Sequence, residues 1–181
     1  MREDLSGIIE SLIFVSSEPL AFEKIKTVLE DYPEEEITKA LEDVVRRYEA
    51  SNQAVQLTQV AGGYLFSTRS EFDPWIRRLL HVERKSRLSP AAVETLSTVA
   101  YHQPITLAQI SALRGVDSSH SLKTLLTKGL VKITGRKRGP GKPLIYRTTE
   151  KFLLTFGLKS LEDLPSQEEI AHILEEEEGL D

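Results

Sequence analysis

The residues best placed to do chemistry form one basic cluster. Arg136, Lys137, Arg138 and Lys142 stand together in a run rich in glycine and proline, Gly135 to Pro143. Cations so concentrated suit contact with phosphate oxygens, although a hairpin tip must be solvated in any case and lysine is a common way to do it, which is the simpler account. The run imitates a phosphate-cradling loop, but Pro143 follows its lysine where such a loop has Ser or Thr, and it joins two strands instead of opening a helix. His81, His102, His120 and His172 are scattered, without a second ligand four residues on, so no metal-binding pair is expected. The chain has no cysteine, which removes disulfides and thiolate ligands and fits a reducing compartment. No serine lies in a nucleophile elbow, and no Gly-x-Gly-x-x-Gly follows a strand. The expectation is a protein that is not an enzyme and needs no cofactor or metal.

The elements around the cluster have a definite order. Ser89-Pro90 is an N-cap followed by proline at the first helical position, and Val93, Leu96, Val99 and Ala100 recur at helical spacing. Thr106 and Gln109 make a capping box, flanked by Ile105 and Ile110 as a hydrophobic staple, and Gly115 stops that helix. A third helix opens at Ser118 or Ser119, carries Leu122, Leu125 and Leu126, and ends at Gly129. Val131, Ile133, Leu144 and Tyr146 then alternate with polar residues as two strands, with the basic run as their turn. Three helices followed by a hairpin with a basic tip is the order of a winged helix. Folds of this kind bind either nucleic acid or a protein partner.

Residues 5–80 repeat the plan. Leu5, Ile8, Ile9, Leu12 and Ile13 form one helical face; Phe22, Ile25, Val28 and Leu29 form another. Pro33 and Glu34-Glu35-Glu36 open a third helix, whose positive end favours carboxylates, and Gly62-Gly63 turns a hairpin. Ile8 to Leu12 matches Ala92 to Leu96 at an offset of 84, and Pro19 to Ile25 matches Pro104 to Ile110 at 85. The expected architecture is mainly α with small β-wings: a winged helix over 1–80, a linker over 81–87, a second winged helix over 88–164, and an acidic tail over 165–181.

Charge is segregated along the chain. Net charge is −6 over residues 1–80, +8 over 81–150 and −7 over 151–181, for −5 in all. The middle stretch has the sign for a nucleic acid or an acidic peptide. Glu34, Glu35, Glu36, Glu42 and Asp43 on the first unit's third helix cannot lie against phosphates. In the second unit, Ser118, Ser119 and Ser121 are too bland for base reading, where Arg, Asn or Gln would be expected. No apolar run is long enough to span a bilayer and no secretion signal opens the chain, so the expected location is the cytoplasm.

These segments resemble a known family. Leu88 to Leu96, Ala100 to Thr106, Arg114-Gly115-Val116, Thr124 to Leu126 and Gly129-Leu130 are similar to segregation and condensation protein B, ScpB. So are Gly135 to Lys137, Gly139 to Pro143, Tyr146 to Thr149 and Phe152 to Pro165 and, more loosely, Ile9 to Phe14 and Ser17 to Leu20. The resemblance implies a non-enzymatic adaptor of the prokaryotic SMC condensin complex. Such a protein is a homodimer, joined mainly through its N-terminal domains, that binds the kleisin ScpA and through it SMC at the nucleoid. Its role is in chromosome condensation and partition. The chain departs from the family pattern after Gly115-Val116, with Asp117-Ser118-Ser119-His120 in place of Asn-Ser and an acidic residue, and Lys123 where arginine is common.

Two further expectations concern surfaces. Phe14, Phe22, Tyr48, Tyr64, Phe66, Phe72 and Trp75 exceed what one small core buries, so some should meet a second copy or the other unit. A kleisin offering amphipathic helices needs an apolar groove with a polar rim. Tyr101, Pro104 and Ile105, with Leu130, Pro140, Pro143 and Tyr146, are the expected groove, and Lys128 and Arg136 the rim; Ile105, Leu130 and Tyr146 suit the core equally well. Any DNA contact through Arg136, Lys137, Arg138 and Lys142 is expected to be weak and nonspecific, not the source of high-affinity binding. A DNA-binding transcriptional regulator is the alternative reading.

Overall fold

A computed structural model describes residues 4–81, 87–166 and 168–170. In the first unit, α1 (Leu5–Val15) starts where the Asp4 carboxylate accepts the Gly7 amide at 3.1 Å. There follow β1 (Leu20–Ala21), α2 (Phe22–Val28) and α3 (Glu34–Glu49), whose first turn carries Glu34, Glu35 and Glu36 as its dipole favours. The hairpin β2 (Val55–Val60) and β3 (Gly63–Thr68) and a last short helix, α4 (Asp73–Leu79), complete the unit. Ile37, Ala40, Leu41 and Val44 form the buried stripe of α3. Ile37, Ala40 and Leu41 close a core with Ile9, Ile13, Leu20, Ile25 and Leu29.

The second unit runs through α5 (Pro90–His102), β4 (Ile105–Thr106), α6 (Leu107–Arg114), α7 (Ser119–Thr127), β5 (Val131–Arg136), β6 (Leu144–Thr148) and α8 (Glu150–Phe156). The expected caps are present. Ser89 accepts from the Ala92 amide with Pro90 in the first turn, Thr106 and Gln109 form the capping box, and Gly115 ends α6 at φ +70°. Its core joins Leu96, Val99, Ile105, Ile110, Leu122, Leu125, Leu130, Val131, Tyr146 and Phe152.

The two sheets share one topology, β1-β3-β2 and β4-β6-β5, and an equivalent register: Leu20 faces Tyr64 as Ile105 faces Tyr146. Two antiparallel winged-helix units of one plan therefore stand in tandem. The helices match less closely than the sheets: Ile9 and Ile13 are the sealed pair on α1, whereas α5 buries Ala92, Thr95, Leu96, Val99 and Ala100. At the offset of 84 read from sequence, Ile9 would match Val93, which is exposed.

The first hairpin also differs from expectation. Its two turn residues are Ala61 and Gly62, both at positive φ, while Gly63 pairs with Val60 as the first residue of β3. Gly63 is needed for another reason: a Cβ there would lie 2.7–2.9 Å from backbone atoms of Pro19 and Leu20. At the same turn, the Ala61 and Gly62 amides donate to the Leu158 and Lys159 carbonyls of the other unit, both at 2.9 Å. Residues 82–86 of the expected linker, and residues 171–181 of the expected acidic tail, lie outside the described residues.

Candidate interaction surfaces

Besides the single Val28 of α2, the first unit exposes large apolar side chains in two groups. At the end of α1, Phe14 and Val15 are 75% and 76% exposed, and Val55 of β2 is exposed beside them. They border a groove of about 480 Å³ floored by Tyr48 and Phe66 and edged by Glu10 and Gln53. Phe14 packs edge-on to Phe66 with centroids 6.4 Å apart, and Tyr48 stacks obliquely on Phe66 at 4.8 Å. The Tyr48 hydroxyl donates to Glu10 Oε1 at 2.7 Å, while Arg47 pairs with Glu10 Oε2 at 2.8 Å. That carboxylate holds the Tyr48 hydroxyl above the usual phenol range. The second place is α4, where Trp75, Leu79 and Leu80 are exposed. Of the seven aromatic residues counted from sequence, Phe14 and Trp75 are the most exposed, whereas Phe22, Tyr48, Tyr64, Phe66 and Phe72 are half-buried.

On the second unit the expected groove is divided. Ile105, Leu130 and Tyr146 belong to the core, each under 7% exposed, so they can only back a surface. The cause is pairing: Ile105 and Tyr146 face one another across β4 and β6 over the inner face of the sheet. Tyr101 is exposed at the end of α5, with its hydroxyl on the Pro165 carbonyl at 2.8 Å, and Pro104 is exposed just beyond it. Arg136, Pro140 and Pro143 stand apart from these at the far end of the hairpin, all exposed. Lys128 ends α7, where its carbonyl accepts from Lys151 Nζ at 2.6 Å.

The hairpin leaves the core after Val131: every residue from Lys132 to Pro143 is exposed. Arg136 donates to the Lys142 carbonyl at 3.1 Å and the Lys137 amide to the Pro143 carbonyl at 2.8 Å, so the basic tip is a hydrogen-bonded loop. Gly139 and Gly141 provide its positive φ angles, and Lys142 itself sits at φ +39°.

One polar cluster was not expected from the sequence, although Arg114 stands there in a family-like segment and Ser118 at an expected helix start. Arg114, with its side chain only 8% exposed, donates to Thr95 Oγ1 at 2.9 Å and Ser118 Oγ at 3.0 Å, and pairs with Glu94 at 2.6 Å. It ties α5 to the start of α7. Ser118 caps no amide with its side chain; instead Asp117 accepts from the Ser119 amide and hydroxyl, which lowers the Asp117 carboxyl below its usual range. Among the described residues no group of His, Asp and Glu is arranged to hold a metal, and no helix is long and apolar enough to cross a membrane.

Comparison with known proteins gives this pair of units a family. The model of the family "Segregation and condensation complex subunit ScpB" matches residues 7–167. The chain belongs to the ScpB family. Segregation and condensation protein B of Clostridium tetani is 42% identical over 172 residues, covering 95% of this chain and 90% of that one. The protein of the same name from Syntrophotalea carbinolica is 41% identical over 98% of this chain and 89% of its own. Among solved structures, ScpB from Mycobacterium tuberculosis matches with 30% identity and a TM-score of 0.41, covering 85% of this chain and 95% of that one.

Proposed function

We propose that this ScpB family member is a non-enzymatic adaptor of an SMC–ScpA–ScpB complex in chromosome condensation and partition. It acts as a homodimer joined through the first unit and binds the kleisin ScpA, and through it SMC, at the nucleoid. The observation that carries this reading is the apolar surface of the first unit, with Phe14, Val15 and Val55 open to solvent around an aromatic-floored groove. Apolar side chains gathered around one groove, unlike single exposed ones, are the mark of a surface that a partner covers. The kleisin is assigned to the second unit. Tyr101 and Pro104 offer it exposed apolar area backed by the buried Ile105 and Tyr146, and Lys128 and Arg136 offer charge for acidic side chains.

The test is capture of the genomic ScpA partner by full-length protein, with complex mass measured by light scattering. Wild type should form a complex containing two copies of this chain. A Lys128→Glu, Arg136→Glu variant with unchanged melting should retain its own dimer and lose capture by about tenfold or more. Undiminished capture would move the kleisin to the first unit; absence of any complex with wild type would end the adaptor reading.

A further inference from the structure

The β5–β6 hairpin carries charge that its fold does not require. Lys132 and Arg147 stand directly opposite one another in the register, both exposed, an arrangement that destabilises a strand pair. Lys137, Arg138 and Lys142 extend the same sign to the tip. None of these five cations has an acidic partner among the described residues. The molecule contains its own control. The equivalent hairpin of the first unit, residues 55–68, has the same antiparallel sheet order and not one charged residue, although its register is unbroken and its turn tight where β5–β6 has a bulge between Ile133 and Gly135 and a longer loop. A wing of this plan therefore needs no cation for folding, and solvation alone does not explain five of them on one copy.

We propose that the outer face and tip of the β5–β6 hairpin bind the phosphate backbone of duplex DNA without reading its sequence. This goes beyond the adaptor role and does not rest on it. From Lys132 to Arg136 the strand advances about 13–14 Å, a length over which one DNA strand carries about four phosphates at about 3.4 Å of axis each. An acidic peptide would need apolar anchors beside the charges to fix its register; of the large apolar side chains on this hairpin only Ile133 is exposed, and the aromatic-floored groove described above lies on the first unit. Base reading by α7 is opposed at its start, where the Asp117 carboxylate already occupies the Ser119 amide and the neighbouring side chains are Ser119, His120 and Ser121.

The experiment is fluorescence anisotropy of full-length protein with labelled duplexes of two unrelated mixed sequences, from 50 to 200 mM NaCl. With about four phosphates engaged, wild-type affinity should fall about 100-fold across that range and be equal for the two sequences. Lys132→Gln, Arg147→Gln, Lys137→Gln, Arg138→Gln combined should weaken binding at least tenfold at 50 mM NaCl and flatten the salt dependence to a few-fold change, with dimer mass and melting retained. No wild-type binding at 50 mM, the same affinity and salt dependence in the variant, or more than a tenfold preference between sequences would overturn the proposal. So would a synthetic Glu-rich peptide that displaces the duplex and binds more tightly than it, since the strip would then be a site for acidic protein.

Discussion

Arg114 shows how one side chain can set the geometry of the second unit. Its guanidinium reaches Thr95 of α5, Ser118 at the entry to α7 and Glu94, while the stem is buried. Thr95 and Ser118 are both fully buried, so removing the guanidinium leaves each with one partner fewer in a place water does not reach. The Glu94 end is mostly exposed and adds little. Arg114→Ala should cost about 2 kcal/mol and lower the melting temperature by roughly 10 °C for a unit of this size. Arg114→Lys should recover only part of that, because a single ammonium cannot span the same fork; a loss under about 0.5 kcal/mol for alanine would show the network to be ornamental. Nothing local announces this role. Thr95, Arg114 and Ser118 look like surface residues in sequence, and only the packing of three helices brings them together.

At the scale of elements, what was legible was what is local. Ser89-Pro90, the Thr106/Gln109 box and Gly115 are satisfied within a few residues, so their spacing already determines helix ends. Gly63 is the counter-example. Its pattern reads as a turn, but its function is set by β1, more than forty residues earlier, whose backbone comes too close for any side chain. The groove expected around Ile105, Leu130 and Tyr146 failed as an open surface for the same reason. Strand pairing turned these residues inward, and a single sequence does not distinguish a core apolar residue from a docking one. The two glycines of the first hairpin separate the effects. Gly62→Ala meets no atom within 4 Å and suffers only its positive φ, a cost of about 1–2 kcal/mol. Gly63→Ala must also push β1 off the sheet, so overpacking should make it the more damaging change, at about 1–3 kcal/mol or more. Equal melting of the two variants would mean that β1 yields freely.

Across the whole molecule, one plan used twice has diverged at the surface and kept its core. The strand order and the edge-strand register survive in both units, yet the first unit turns aromatic residues and carboxylates outward while the second displays a basic hairpin. Segregated charge also bears on self-association. Two first units, each at −6 over residues 1–80, repel when brought together, so the attraction that joins them must be apolar and short-ranged, and salt should strengthen the dimer by screening the repulsion over about 8 Å at physiological strength. Phe14 and Val15 are where that attraction is exposed, and covering each fully is worth about 1.5–3 kcal/mol. Phe14→Asp with Val15→Asp should therefore weaken the dimer at least a hundredfold and give a monomer by light scattering at micromolar concentration. Because both side chains are about three-quarters exposed in the single chain, its melting should hardly change. A dimer that persists in the variant would place the interface elsewhere, with α4 and its exposed Trp75 and Leu79 the next surface to alter. A dimer that weakens as salt rises would show instead that opposite charges, not apolar side chains, hold the two copies together.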